Sequence, residues 1–374
     1  MKESVSKMKK KILFINNHFQ YSDGTVRALI GLVNNLDQNK YDITIKPLFK
    51  CDKKLANELK PGIKLRKVFG FYFRGFNRLV KKIPISFLYK KVVGEEYDIE
   101  IAFQCDLPTL IVGASKNSRA VHVFWMHGYS LWPKEYAKAD KVVCVSKYCE
   151  EKAREEMHGN VNITHCYNLI DDRKIITLSQ MSIPQKWVFS DRAKPVFVTV
   201  GRLSPEKGYM RLIKIAQNLF TEGFLFTLVI IGGGPEEKSL QKYIRENNLQ
   251  DKVFLTGSTT NPHCITSKAD CFICSSFAEG YSTVCAEAAI LGIPVITTAV
   301  PGGAEIIETC SCGLLTDIDD NSLKAGIRSV LENQSILSDW KQTLQTTKYR
   351  FGLQSRVKEL RVLFDELYEL SLKK

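Results

Sequence analysis

Short runs rich in Val, Ile and Phe alternate along the chain with longer stretches whose apolar positions recur every three or four residues. The runs read as strands buried on both faces and the stretches as crossover helices, so the pattern predicts parallel sheets of the α/β class. Strands are expected near 11–16, 41–46, 98–103, 121–125 and 141–145, and the pattern restarts near 195–200, 226–231, 252–255, 270–274 and 293–297. Between the two sets lies a polar, weakly periodic stretch, 171–192, with Pro184 inside it, which reads as a linker. The division predicts an N-terminal domain over 1–184, a C-terminal domain over 185–350, and a C-terminal helix over 351–374 that packs back on the first domain. The length agrees, since 374 residues exceed the roughly 250–300 at which a single core stops growing. Two doubly wound domains facing one another would place a ligand cleft between the carboxyl ends of their strands.

Composition narrows the class. Hydrophobic residues at 44% and charged residues at 25% are ordinary for a globular chain. The longest apolar runs, such as Leu228 to Ile231, fall far short of the ~20 residues that span a bilayer. Ile12 to Ile15 gives way at once to Asn16-Asn17-His18, too short for the core of a secretory signal, so the chain is expected in the cytosol. The eleven scattered cysteines suit a reducing compartment better than a disulfide framework, and Cys271-x-x-Cys274 reads as part of a buried strand without partners for a metal. Residues 1–100 hold 21 Lys and Arg against 10 Asp and Glu, a balance of +11, which leaves +2 for the rest of the +13 total. A basic first domain points to an acidic partner, a membrane surface or nucleic acid.

Two motifs carry chemistry. After the strand ending at Val200, Gly201-Arg202-Leu203-Ser204-Pro205-Glu206-Lys207-Gly208 places two cations a few residues apart beside glycines that let the chain turn close to a ligand, an arrangement suited to a diphosphate. Solvated loop charges are the alternative. The second motif runs from Phe277 to Pro294. Ser282 is a good N-cap and Gly292 a good stop for a helix over 283–291, whose amides at Tyr281, Ser282 and Thr283 would offer an anion site, with Glu279 before the helix and Glu287 within it as acceptors for hydroxyls. Ribose diol, diphosphate and sugar hydroxyls follow one another in this way in a nucleotide sugar. Gly232-Gly233-Gly234-Pro235 lacks the third glycine of a dinucleotide fingerprint and reads as a tight turn.

Gly201-Arg202-Leu203 with Lys207-Gly208, then Ile230 to Pro235, then the Glu279-x7-Glu287 pair, resemble the retaining glycosyltransferases of family four. Ala139-Asp140 with Ser146, and Asn168-Leu169-Ile170-Asp171, are similar to that family's first-domain segments, with Leu169 where glycine is usual. The resemblance covers most of residues 11–330 and implies two Rossmann-like doubly wound domains facing an interdomain cleft, the B-type glycosyltransferase fold. It implies Arg202 and Lys207 on the donor diphosphate, Glu287 on the ribose, Glu279 with Gly280, Tyr281, Ser282 and Thr283 on the donor sugar and phosphates, and His127 facing the donor sugar. By the same resemblance Ser258 lies beside the base, and Gly24 and Thr25, in Asp23-Gly24-Thr25 where many relatives carry Gly-Gly, give a first-domain phosphate contact. No carboxylate cluster suggests a bound metal, and two cations with a helix N-terminus can take its place, so no cofactor or metal is expected.

Between Lys64 and Lys91, aromatic residues including Phe69, Phe71, Phe73 and Phe87 are interleaved with Arg66, Arg74, Arg78, Lys81, Lys82, Lys90 and Lys91. Such a surface fits an anionic membrane; half-buried helices with snorkelling lysines are the plain alternative, and nucleic acid is not expected as a partner. The combined expectation is a retaining, metal-independent transferase, peripheral at the inner face of a membrane. It would move a hexose or N-acetylhexosamine from a UDP-sugar to a hydroxyl of a glycan or lipid-linked glycan in bacterial surface polysaccharide synthesis. A nucleotide-sugar epimerase of the same fold and a non-catalytic nucleotide-sugar-binding protein stay open as alternatives.

Overall fold

A computed structural model describes residues 9–20, 24–73, 76–128, 133–157, 161–184, 187 and 192–374. Asp23 and Arg74 lie outside them. The chain forms two compact units, Met1–Leu169 with Arg356–Lys374, and Ile170–Ser355.

The first unit is built on seven strands: β1 (Lys10–Phe19), β2 (Tyr41–Cys51), β3 (Lys64–Leu65), β4 (Ile99–Ala102), β5 (Val121–Met126), β6 (Lys141–Cys144) and β7 (Ile163–His165). All pairs are parallel, in the order β3-β2-β1-β4-β5-β6-β7. The chain therefore winds outward one way from β1 and returns to wind the other way from β4, which makes the β1/β4 boundary the switch point of the sheet. Central strands such as β4 and β6 are buried at every position, as helices on both faces require. From Arg356 onward the helix Leu353–Lys373, with Lys374 after it, belongs to this unit. The Tyr41 hydroxyl donates to the Phe364 carbonyl at 2.8 Å, the Phe364 ring lies 6.5 Å from those of Phe14 and Trp125, and Lys40 pairs with Asp365 at 2.9 Å.

The second unit carries β8 (Val196–Val200), β9 (Thr227–Ile231), β10 (Val253–Gly257), β11 (Cys271–Cys274), β12 (Val295–Thr298) and β13 (Gly313–Thr316), all parallel, in the order β10-β9-β8-β11-β12-β13. Its switch point lies between β8 and β11. The ten expected strands are all present, while β3, β7 and β13 were not expected. Each of these three has two to four residues and lies at or next to a sheet edge, where a full apolar run is not needed. The boundary between the units falls at 169/170 and not at 184/185. The helix Asp172–Ser179, read as linker, is tied into the second unit: the Asn261 side chain donates to the Leu178 carbonyl at 2.9 Å, and the Leu353 amide donates to Asp172 at 2.9 Å. Nine cysteines are free, and Cys310 and Cys312 form a disulfide after the helix Pro301–Cys310. Among the described residues no helix is long and apolar enough to cross a membrane.

Candidate active site

The carboxyl ends of β8 and β11 flank the switch point of the second unit, and both candidate motifs begin there. Beyond β8 the chain makes a 3-10 turn, Pro205–Lys207, closed by Gly208 at φ 68°. The left-handed backbone favours glycine, and so does the space, since a Cβ at Gly208 would run into the Ser275 carbonyl. The turn is thereby held against the segment that follows β11, and the Ser275 hydroxyl donates to the Lys207 carbonyl at 2.9 Å. Across this junction Lys207 Nζ donates to Glu279 Oε1 at 2.7 Å, and the Ser276 hydroxyl donates to the same oxygen at 2.7 Å. The side chains of Lys207 and Glu279 are 25% and 12% exposed, so the pair is far less screened than a surface ion pair. Burial alone would lower the Lys207 pKa, but the adjacent Glu279 carboxylate reverses that and holds it above the ordinary lysine value. Lys207 therefore stays cationic, with a carboxylate already on one side.

Arg202 is different. It lies just past β8, exposed, and its guanidinium pairs with none of the described residues. The two cations of the motif are thus a half-buried, paired lysine and a solvated arginine.

Glycines after β9 serve close approach. A Cβ at Gly234 would come within 2.7 Å of the Leu203 amide nitrogen, and one at Gly233 would strike the Ser258 hydroxyl. Gly232 also bridges to Gly257 through an N–H to carbonyl bond of 3.1 Å. Ser258, exposed, is placed by this against the glycine turn.

The expected helix is present as Thr283–Ile290, with Ser282 as its N-cap residue. Two expectations about its start need correction. The Ser282 hydroxyl caps no amide and donates instead to Cys285 Sγ at 3.1 Å. Tyr281 and Ser282 are buried, and the Thr283 N–H is bonded to the Tyr281 carbonyl at 3.0 Å, so the three amides are not an exposed cradle. The cause is the neighbouring helix Pro301–Cys310: a Cβ at Gly302 would sit 2.5 Å from the Ser282 nitrogen, so this helix lies directly on the Tyr281–Ser282 backbone. The first turn of the Thr283 helix has no side-chain cap and no acidic residue of its own. Glu287 is half-buried on this helix, its Oε2 3.9 Å from His263 Nδ1. Burial, assisted by the Lys174 ammonium, pushes the His263 imidazole down to about 4, so it is neutral at pH 7.

In the first unit Gly24 opens the helix Gly24–Asn34, with open space where a Cβ would go. Thr25 Oγ1 accepts from the Gln104 side chain, and Gln104 Oε1 accepts from the Asn17 N–H at 2.7 Å, which links the ends of β1 and β4 at that sheet's switch point. His127 follows β5, half-buried, its ring edge-on to Phe103 at 4.5 Å. Among the described residues no three His, Cys, Asp or Glu side chains are grouped so as to hold a metal ion.

Residues 184–346, which contain β8 to β13, match the family described as glycosyl transferases group 1. The likeness to the group 1 glycosyltransferases lies in this domain. It is 30% identical over 225 residues to the Campylobacter jejuni N-acetylgalactosamine-N,N'-diacetylbacillosaminyl-diphospho-undecaprenol 4-alpha-N-acetylgalactosaminyltransferase, covering 58% of this chain and 57% of that one. It is 23% identical over 185 residues to the Bacillus anthracis N-acetyl-alpha-D-glucosaminyl L-malate synthase, covering 50% and 48%. The chain thus spans about half the length of these curated relatives. Among solved structures it resembles Anabaena HepE in complex with UDP, with TM-score 0.74 at 18% identity over 95% of this chain and 100% of that one. The sucrose-phosphate synthase of Thermosynechococcus elongatus gives TM-score 0.76 at 17% identity, over 97% and 100%. The fold of the chain is the B-type glycosyltransferase fold, with two Rossmann-like domains.

Several neighbours of the candidate residues were not singled out from the sequence. Ser276 could have been, because two serines follow the apolar β11 directly where a polar pair has no packing role. Gly302 and Gly303 open a helix after Pro301 and signal close approach in the same way. Gln104 gave no such signal.

Proposed function

We propose that the chain is a retaining, metal-independent transferase that moves a hexose or N-acetylhexosamine from a UDP-sugar to an acceptor hydroxyl. The observation that carries this reading is the Lys207–Glu279 pair, 2.7 Å long, at the ends of the two strands that flank the second sheet's switch point. UDP as the carrier is supported by the neighbour crystallised with UDP, and a lipid-linked glycan acceptor by the diphospho-undecaprenol substrate in the name of the Campylobacter relative. In this mechanism the leaving diphosphate gathers charge against Lys207, Arg202 and the uncapped first turn of the Thr283 helix, which favours departure before much attack by the acceptor. Glu279 accepts hydrogen bonds from sugar hydroxyls, Glu287 takes the ribose, Ser258 borders the base, Gly24 and Thr25 meet a phosphate, and His127 faces the sugar. The cations and helix end supply the compensation that a metal would otherwise give.

The acceptor would be reached at the inner face of a membrane, by a chain resident in the cytoplasm. Phe71, Phe73 and Phe87 are 65%, 50% and 60% exposed, and Arg78, Lys82, Lys90 and Lys91 are exposed in the same stretch of the first unit. Exposed aromatics with interleaved cations suit the headgroup region of an anionic bilayer.

The test is UDP release from a panel of nucleotide sugars, with thermal shift as the binding readout. A ligand at 100 times its dissociation constant stabilises by about 2.7 kcal/mol. Release that depends on added acceptor supports transfer; interconversion of the sugar without release would identify an epimerase, and a shift with neither would leave a binding protein.

A further inference from the structure

We infer that Arg211 is a positioning residue for the Lys207–Glu279 pair, an inference that rests on the donor-site reading above. Arg211 lies in the helix Tyr209–Thr221 and is only 6% exposed. Its guanidinium is spent almost wholly on backbone. Nε donates to the Ser275 carbonyl at 3.0 Å, Nη2 to the Ser275 carbonyl at 2.6 Å and the Ser276 carbonyl at 3.1 Å, and Nη1 to the Ile318 carbonyl. The nearest carboxylate, Asp320, is 3.5 Å away and 64% exposed. The Phe277 ring covers the outer face of the guanidinium, 3.7 Å from Cζ.

These contacts join three segments that each follow a strand of the second sheet: the turn after β8, where a Cβ at Gly208 would come within 2.8 Å of Arg211 Nε, the loop after β11, and residues 318–320 after β13. Ser276 is the critical link. Its carbonyl is held by Arg211 and by the Thr298 hydroxyl at 2.7 Å, while its own hydroxyl holds Glu279 at 2.7 Å. The Phe277 N–H returns to the Glu206 carbonyl at 2.8 Å, next to Lys207. Arg211 therefore fixes the backbone that leads to Glu279 while touching neither charged group, and the Phe277 N–H carries that constraint to the turn that holds Lys207. A lysine cannot replace this planar fork, because a single ammonium reaches fewer carbonyls at once.

The measurements use Arg211→Met and Arg211→Lys in the full chain. Hydrogen exchange of peptides spanning 275–283 should quicken by about tenfold or more in the Met variant and less in the Lys variant, with amides of β8 and β9 unchanged. Turnover should fall on the order of 10²-fold in the Met variant, as a displaced catalytic group implies, while donor KM moves by less. In a Glu279→Gln background the same Met substitution should cost no more than about threefold, because a residue acting through Glu279 has little left to position. If the Met variant does not fold, the Lys variant carries both measurements. Unchanged exchange at 275–283, or losses that simply multiply, would overturn the inference. Faster exchange in a chain whose wild type transfers from no nucleotide sugar would sink the transferase reading and leave the positioning role standing.

Discussion

Both sheets wind from a central strand in the same order, with the third, second and first strands to one side and the fourth onward to the other, yet their switch points hold different chemistry. In the first unit the ends of β1 and β4 are joined by neutral hydrogen bonds, from Asn17 to Gln104 and from Gln104 to Thr25. In the second unit the same place holds a part-buried ion pair, Lys207–Glu279, with serines and a buried arginine around it. A neutral polar edge can adapt to varied hydroxyl groups. A preorganised charged edge favours a ligand whose charge changes during the reaction. The same topology thus carries two kinds of edge, and the difference lies in the loops that leave the strands.

The sharpest way to break this comparison is Lys207→Ala. If the second unit stabilises charge that develops on the leaving diphosphate, turnover should drop by roughly 10²–10³, the usual cost of one preorganised donor. The fall in kcat should exceed the rise in donor KM, as expected for an interaction strengthened in the transition state. Steady-state kinetics with the donor varied checks this, and a change confined to KM would make Lys207 an affinity group only.

The first unit is tested by its surface. Neutralising Lys82, Lys90 and Lys91, all exposed, should weaken binding to phosphatidylglycerol vesicles on the order of 10²-fold at low salt, at about 1 kcal/mol for each cation near the surface. Lys81 should add less, because it is already paired with Asp106 at 2.5 Å. The effect should fade at high salt, where exposed charges are screened, and donor affinity should stay unchanged. Equal recovery of the wild type on neutral vesicles would refute a membrane role for this patch.

The contrast also explains what could be read from the sequence. Both sheets were legible because buried parallel strands need unbroken apolar runs, and the helix Thr283–Ile290 because Gly292, at φ 77°, stops it. Helix Asp172–Ser179 was hidden by its short length and by Pro184 just beyond it, since it buries a single apolar residue, Ile175, and is tied to the second unit by hydrogen bonds as well. Motif spacing brought out Lys207 and Glu279 as candidates but not their pairing, which depends on where two loops distant in sequence meet. The start of the Thr283 helix was misread because Gly302 and Gly303 showed that something approaches closely without showing what. Arg211 left no trace, since one arginine in an amphipathic helix looks like any solvated cation.

A pH effect tests the second unit at His263, beside a similar burial effect at His122 in the first unit. His263 is held down to about 4 by burial and by Lys174, against an ordinary value of 6.5. Between those values the unfolded chain binds a proton that the folded chain does not, so stability is complete above about pH 6.5 and declines as pH falls towards 4. The full window corresponds to roughly 3.4 kcal/mol as an upper limit, and Glu287 Oε2 at 3.9 Å, which would partly compensate a charged ring, makes the expected loss smaller. Unfolding curves at pH 7.5 and 4.5 should show the loss, and His263→Gln should remove most of it. An unaltered pH dependence in that variant would place the sensitivity elsewhere.

The smallest expected effect belongs to Arg202→Lys, which asks whether the solvated cation of the motif shares the work of the paired one. Arg202 is exposed and its described interaction is a charge effect on Glu206 that lysine keeps, so the variant should fold as well as the wild type. In the free protein it is costly neither to keep nor to replace, and any penalty must come from the bound state. There a guanidinium can present two parallel N–H groups to phosphate oxygens, whereas lysine offers a compact charge without that fork. A hydrogen bond to a charged group contributes on the order of 1.5–3 kcal/mol, and lysine should retain part of it, so a loss of about tenfold is expected. On the proposed transfer reaction, Lys207, already facing Glu279, would be set for the change in charge, while Arg202 would have to be recruited by the ligand itself. Its loss should therefore appear mainly in donor KM and in UDP affinity, the reverse of the Lys207→Ala pattern. Calorimetric titration with UDP beside steady-state kinetics separates the two. A fall in kcat as large as that of Lys207→Ala would show that both cations act on the departing diphosphate, and unchanged constants would return Arg202 to the solvent as an ordinary loop charge.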